Sequence, residues 1–438
     1  MRQFLKNNGY IILLFLFSVL CSTFGMTLLY SIPMVLISYG IICLNLPRKH
    51  FIPLLLSTLF TYREQTLDLY QGICVALVMG LLVYDLIRHR HFRKNPLIIG
   101  YLVWIATMVM SLFTAIDVLL ALQGIAQALL WFMILYYCWI HMNDDMREYG
   151  YRSFSYFSIA IALEIGLYFL LLNGKPFLEI LRGFELGWGG YAHVSLLYLV
   201  CVLMSTLWYL QDETKWGRLM LVLFQLLMAG VFNSKGSYIA MLLLAVPYLI
   251  LIFQNTKRRS FLGKIAIGYL IFALLFRLVI ANPLGFRTVW YERVGLQDRL
   301  EKKMIFELGL EAFRGNPLFG IGAYNSPLFL RSLSQDLGYN LLYFQNYWVQ
   351  TLATLGIVGM ISFLFLGSGM VRMLKKRSLL NYFIGIILGL FLIQGFFDTT
   401  FYSVILMCVL SLVLSFIDEE KGVYLNVYDK NTKQTLYL

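Results

Sequence analysis

Seven basic residues crowd into one stretch of this chain: Arg287, Arg293, Arg299, Lys302, Lys303, Arg314 and Arg331 all fall within 282–344. Lys235 stands in the short turn "NSKGS" (233–237), Arg182 in "EILRGFE", and Arg277 interrupts the apolar run "ALLFRLVIAN". Cations gathered in this way suit an anionic ligand. Phosphate is the usual target of arginine's planar fork, whereas lysine offers a point charge. The plainer alternative is that six acidic residues in the same stretch neutralise it. That alternative leaves Lys235 unexplained, because no acid lies near it in sequence.

Other chemistries find less support. Four of the five histidines, His50, His89, His91 and His141, fall on the cytoplasmic side, opposite this stretch, in the threading given below. Only His193, in "GGYAHVSLL", falls near it, as a substitute base or as a structural residue at a helix start. One histidine without an acidic pair does not make a metal site, and no cofactor is expected. The adjacent acids Asp144 and Asp145 are not a DxD motif. All six cysteines fall inside apolar runs, where cysteine behaves as a small hydrophobe.

The elements that must position these charges are membrane helices. Hydrophobic residues make up 60% of the chain and charged residues 13%, and the mean hydropathy is +0.74. Apolar runs of about 20 residues, the length a bilayer core demands, recur from end to end. The expected fold class is therefore an all-α polytopic integral membrane protein. The first run, after "MRQFLKNNGY", reads as a retained signal anchor. The net charge of +12 is met by basic cytoplasmic loops, so no nucleic acid is implied.

The clusters "RHRHFRKN" (88–95), "TKRRSFLGK" (256–264) and "RMLKKR" (372–377) test the threading, since an even number of spans must separate them. Between the first two, spans near 97–115, 118–141, 153–172, 191–209, 219–232 and 237–255 satisfy the parity. Between the second and third, 265–281 and 345–368 do so. A hairpin over 10–46, a marginal segment at 51–62, a span near 68–87 and two final spans at 380–397 and 401–417 complete roughly 14 crossings, or 12 if a short segment is re-entrant. The chain thus divides into N-terminal helices 1–172, a second transmembrane region 173–417 with an external loop at 282–344, and a polar cytoplasmic tail at 418–438. Both termini are expected in the cytoplasm.

Inside the external loop, "QDRLEKKMIFELGLEAFRGNP" reads as an amphipathic helix on the outer leaflet or over a cavity. Leu300, Met304, Leu308 and Ala312 form its apolar stripe, with Ile305 and Leu310 beside it. Gly315 and Pro317 end it. "GNPLFGIGAYNSP" (315–327) then breaks both helix and strand, and Gly320 and Gly322 permit close backbone approach to a ligand. Trp188, Tyr191, Tyr324 and Tyr347 suit either stacking on sugar faces or a membrane-interface belt.

In order, spacing and expected side, "NSKGSYIAMLLL" (233–244), "LEAFRGNPLFGIGAYNSP" (310–327) and "FQNYWVQTLATLGIVGMISFLFL" (344–366) resemble the motifs of the O-antigen ligase and polymerase family. The resemblance covers about 180–400. It implies transfer of glycan from a polyprenyl-pyrophosphate carrier at the outer face of the bacterial cytoplasmic membrane. Membrane lipids are implied partners, as are a chain-length regulator and a flippase of the same pathway. Two departures stand out. Lys235 replaces the family's usual arginine. Gln345, beside Asn346, replaces the histidine that ligase members use as a base, and glutamine accepts no proton at neutral pH.

That second departure favours a polymerase over a ligase. By the resemblance, Lys235, Arg299 and Arg287 clamp the pyrophosphate, with Arg182 and Lys302 as further candidates. Preorganised cations aimed at the developing charge are the expected device. Gln345 and Asn346 orient the acceptor hydroxyl, and His193, Gly320, Gly322 and Tyr324 line the substrate. A transporter of the lipid-linked glycan is the rival from another class. Glu164 and Asp398 are the few acidic candidates for it, and the sequence shows no internal repeat.

Overall fold

With no water to satisfy exposed N–H and C=O groups, apolar runs crossing a bilayer close their hydrogen bonds internally as helices. The computed structural model describes residues 8–44, 46–61, 69–89, 96–171, 185–186, 189–232, 234–256, 268, 271, 289–337, 342–344, 346–375 and 378–417. Its helices are α1 (Gly9–Thr23), α2 (Thr27–Cys43), α3 (Phe51–Thr58), α4 (Leu69–His89), α5 (Pro96–Met110), α6 (Val118–His141), α7 (Asp144–Leu171) and α8 (Tyr191–Gln211). They continue as α9 (Trp216–Val231), α10 (Lys235–Asn255), α11 (Val289–Gly315), α12 (Ser326–Phe329), α13 (Arg331–Leu337), α14 (Tyr347–Leu374), α15 (Leu379–Gln394) and α16 (Val404–Leu414). A two-residue antiparallel ladder, Glu185–Leu186 with Gly189–Gly190, precedes α8.

The protein is an all-α polytopic membrane protein. Among the described residues six helices are long and apolar enough to cross a bilayer, and five further apolar helices are shorter. The expected span at 265–281 and the tail at 418–438 lie outside the described residues, apart from 268 and 271. Polar residues start the helices where the sequence supplies them. Asp117, Ser234, Asn346 and Ser378 each accept a backbone N–H from the first turn of α6, α10, α14 and α15.

Side-chain contacts fix which helix ends share a face. Lys49 meets Asp145 at 2.8 Å, His50 meets Tyr149 at 3.0 Å, and Asp85 meets both His141 and Arg48. The start of α3, the end of α4, the end of α6 and the start of α7 therefore lie together at what we term the first face. Gly369 packs against the Pro96 backbone, which brings the end of α14 and the start of α5 there too. Opposite, Asn325 meets Asp117 and Ser234 meets Gln394, defining the second face.

Two expectations change. The segment 51–62 is not a lipid-facing span. Eight helical residues rise only about 12 Å, and every residue from Phe51 to Ser57 is buried. The segment runs down beside α1, with the His50 carbonyl at Tyr10 and the Ser57 carbonyl at Ser18. Because α4 ends at Asp85 on the first face, the chain still changes face between α3 and α4, as the parity required. The stripe on α11 is also rotated. Met304 is 41% exposed, while Ile305, Leu308 and Ala312 pack with Phe344, Val349 and Ala353. The helix therefore lies against α14 rather than turning that stripe to lipid.

Candidate functional site

The glycine-rich segment answers to a break in α14. A straight helix would put Tyr347 and Phe363 roughly 24 Å apart, yet their ring centroids lie 4.6 Å apart. The chain turns back at Gly356, whose φ of 67° suits glycine. Ile357 and Val358 would ordinarily donate to Ala353 and Thr354. Here they donate to Pro317 and Leu318 of the loop at 2.9 and 3.2 Å. The freed carbonyls of Ala353 and Thr354 accept from Ile321 and Gly322 at 2.8 and 3.1 Å. The loop is thus spliced into the helix by four exchanged backbone bonds, which satisfy the groups that the break would otherwise leave open at Ala353, Thr354, Ile357 and Val358.

A Cβ on Gly356 would stand 2.3 Å from the Leu318 carbonyl oxygen, and one on Gly320 would stand 2.3 Å from the Thr354 carbonyl carbon. Gly322 faces Ala115 at 2.7 Å. The close approach at Gly320 and Gly322 is therefore to the protein's own chain at Thr354 and Ala115. Asn325, fully buried, fastens the other side. Its Oδ1 accepts from the Asp117 N–H at 2.6 Å, and its Nδ2 donates to the carbonyls of Asp117 and Ala323. Ser111 Oγ accepts from the Ala323 N–H. Gln350, also buried, donates to Ser326 Oγ and accepts from the Phe344 N–H, closing the far end of the loop.

Beside this splice lies a polar cluster. Ser234 caps α10 by accepting from the Ser237 N–H at 3.0 Å. Both serine hydroxyls meet Gln394, which is 2% exposed. A Cβ on Gly236 would clash with the Gln394 side chain at 2.3 Å and stand 3.0 Å from Phe397. "NSKGS" is therefore seated directly on the turn that follows α15. The same turn receives α14: Tyr347 N–H donates to the Gly395 carbonyl at 2.8 Å, and Asn346 Nδ2 donates to the Phe396 carbonyl at 2.9 Å. Asp398 closes the turn, half-buried, with Oδ1 accepting from the Thr399 N–H at 2.7 Å.

The structure thus brings the backbone of Lys235, the residues 394–398 and Asn346 to one place on the second face. Asn346 differs from expectation. Its Oδ1 accepts from the N–H groups of Trp348 and Val349, so its amide caps α14 and ties it to Phe396. Tyr324 is half-buried and donates to the Tyr402 carbonyl at 3.0 Å, among the rings of Tyr343 and Tyr402. His193 is half-buried on the first turn of α8 and makes no hydrogen bond to any described residue. Lys302 is exposed on α11, one turn before Ile305 on the buried stripe. Arg299 lies one turn earlier in the same helix. Arg182, Arg287 and Gln345 lie outside the described residues.

Four residues that matter to this geometry escaped notice in the sequence: Asn325, Gln350, Gln394 and Gly356. Only Gly356 left a trace there, as the first glycine of "GIVG". A separate cavity of about 390 Å³, lined by Arg48, Lys49, His141, Asn143 and Asp145 among others, opens at the first face, far from this cluster. Residues 220–364 match the family model of O-antigen ligase. No curated protein matches the chain.

Proposed function

Residues 220–364 carry the O-antigen ligase family's region, and on that premise we propose that this chain is a polymerase of bacterial surface polysaccharide. It joins two lipid-linked oligosaccharides. A hydroxyl oxygen of the acceptor sugar attacks the anomeric carbon of the donor. The bond from that carbon to the pyrophosphate oxygen breaks, and its electron pair leaves with polyprenyl pyrophosphate. The observation that carries this reading is the convergence of "NSKGS", the 394–398 turn and the capped start of α14 at one face.

Lys235 begins α10 at this cluster, where a cation and the helix N-terminus act together on developing negative charge. Arg299 and Lys302, both on α11, are the further cations of the proposed clamp, with Arg287 and Arg182, which lie outside the described residues, as candidates. The proton from the acceptor hydroxyl needs a base. Gln345 cannot supply one, and the Asn346 amide is engaged in capping. Asp398 is the half-buried carboxylate on the turn that seats both elements, and it takes that role. The choice of polymerase over ligase rests on Gln345 standing where ligase members carry histidine. The second face is then the outer face of the cytoplasmic membrane, and the basic clusters flank the first.

The test is a polysaccharide profile of cells lacking the gene, complemented with wild type, Lys235→Ala, Arg299→Ala or Asp398→Asn. Carriers bearing a single repeat unit should accumulate in the null. None of the three variants should restore long chains while each still reaches the membrane. Full-length polymer left on its carrier would identify a ligase instead. Repeat units trapped on the cytoplasmic side would identify a flippase.

A further inference from the structure

The cavity of about 390 Å³ at the first face takes no part in the chemistry above, yet its size falls in the roughly 300–1,000 Å³ range of small-molecule sites. Two segments form it. After α2 the chain passes Leu46 and Pro47 and makes a single 3-10 turn, Arg48–His50, before α3. Facing that turn is the joint between α6 and α7, which contributes His141, Asn143, Asp145 and Met146.

The two cations of this cavity are held in place from behind. Arg48 meets Asp85 at 3.6 Å, an ion pair too long for a hydrogen bond, so the carboxylate anchors the guanidinium by charge without spending its N–H donors. Lys49 stands 5.4 Å over the ring of Tyr149, which in turn meets His50. Its ion pair is with Asp145, whose side chain is 72% exposed, and such a pair gives way to a ligand at little cost. Asn143 accepts from the Met146 N–H at 2.8 Å and so opens α7, whose positive end borders the cavity.

Charge and polarity narrow the ligand. On the lining, Arg48 and Lys49 supply two positive charges and Asp145 one negative, which leaves a net +1 with His141 neutral; Asp85 sits behind the wall, 1% exposed. That balance suits a singly charged anion, and a phosphodiester is one whose two free oxygens match arginine's fork. Ile41, Leu46 and Met146 add an apolar wall. Tyr39 on α2 and Leu44 just past its end are 49% and 66% exposed, so the cavity adjoins lipid-facing surface. We infer that it binds the phosphodiester of an anionic phospholipid from the leaflet at the first face. A choline lipid brings its own cation to the same two basic residues and is disfavoured. Free phosphate leaves the apolar wall unused. The bound head group ties the turn before α3 to the start of α7.

Native mass spectrometry of the full chain, released from nanodiscs of equal parts phosphatidylglycerol and phosphatidylcholine, reads the lipid that stays bound. Wild type should retain one phosphatidylglycerol, enriched about fivefold over phosphatidylcholine. Lys49→Glu makes the lining net negative and should bring the two lipids to near parity. Lys375→Glu, the same change at an exposed position past the end of α14 on the same face, should leave the enrichment within about twofold of wild type. Arg48→Gln should act as Lys49→Glu does. Because it also removes a partner of Asp85, the lysine variant decides wherever the arginine variant fails to fold. Equal losses in Lys49→Glu and Lys375→Glu, or no enrichment in wild type, would overturn the site. Excess inorganic phosphate should leave the lipid in place; its displacement would make a soluble anion the ligand and overturn the lipid.

Discussion

At the first face, Asp85 lies buried 3.2 Å from His141 and 3.6 Å from Arg48, and Lys49 reaches Asp145. At the second face, the same bundle is closed by four loop–helix backbone bonds and by Asn325 gripping the backbone of Asp117. The first arrangement depends on ionisation, the second hardly at all. On the function proposed above, a pyrophosphate site would gain from that division, because a scaffold of backbone and amide hydrogen bonds does not compete for cations. The first face can answer to pH and salt while the geometry of the second stays fixed.

Substitutions that act on one face alone should separate the two. Gly356→Ala is the most severe. It adds a Cβ at positive φ, 2.3 Å from a carbonyl oxygen, and loosens the splice. We expect a loss of about 4 kcal/mol together with loss of polymer, read by thermal unfolding in nanodiscs and by the polysaccharide profile. Asp85→Ala removes the buried carboxylate that both the buried His141 and the partly exposed Arg48 meet. It should cost about 3 kcal/mol while turnover per folded molecule stays near wild type. Equal loss of turnover in both variants would dissolve the distinction between the faces.

Acid should act on the first face. Burial, reinforced by the charge of Lys49 and opposed by Asp145, pushes His50 down from 6.5 to about 4. The unfolded chain takes up this proton first. The contribution is therefore complete above pH 6.5 and is lost as pH falls towards 4, by up to about 3 kcal/mol. His50→Asn should flatten that part of the stability profile, and an unchanged acid limb would refute the assignment. The smallest effect belongs to Lys49→Ala. Its ion pair with the largely exposed Asp145 is worth under about 1 kcal/mol, and the difference should shrink further in salt.

Much of the membrane architecture was legible from the sequence, because span length and the parity of basic clusters are local quantities. The 118–141 helix needed no tertiary information, whereas the count between the second and third clusters rests on 265–281, which lies outside the described residues apart from 268 and 271. The glycine-rich run was legible as a break but not in its purpose, since what meets Gly320 and Gly322 lies far along the chain at Thr354 and Ala115. Met304 was misplaced on the buried stripe by one helical position, because amphipathic periodicity marks a face without saying what covers it. Asn346 read as a polar site residue, although an asparagine opening a helix is also an N-cap, and the hydrogen bonds decide for the cap. Gln394 and Asn325 were invisible: a single amide within an apolar run or a turn carries no periodic signal.

The decisive measurement gives the purified chain in nanodiscs only one kind of sugar substrate, the lipid-linked repeat unit, and follows products by mass spectrometry. The account predicts carriers bearing two or more repeats, one polyprenyl pyrophosphate released per linkage formed, and no elongation by Asp398→Asn. Elongation absent until a lipid core or protein acceptor is added, followed by transfer of glycan to that acceptor, would contradict it.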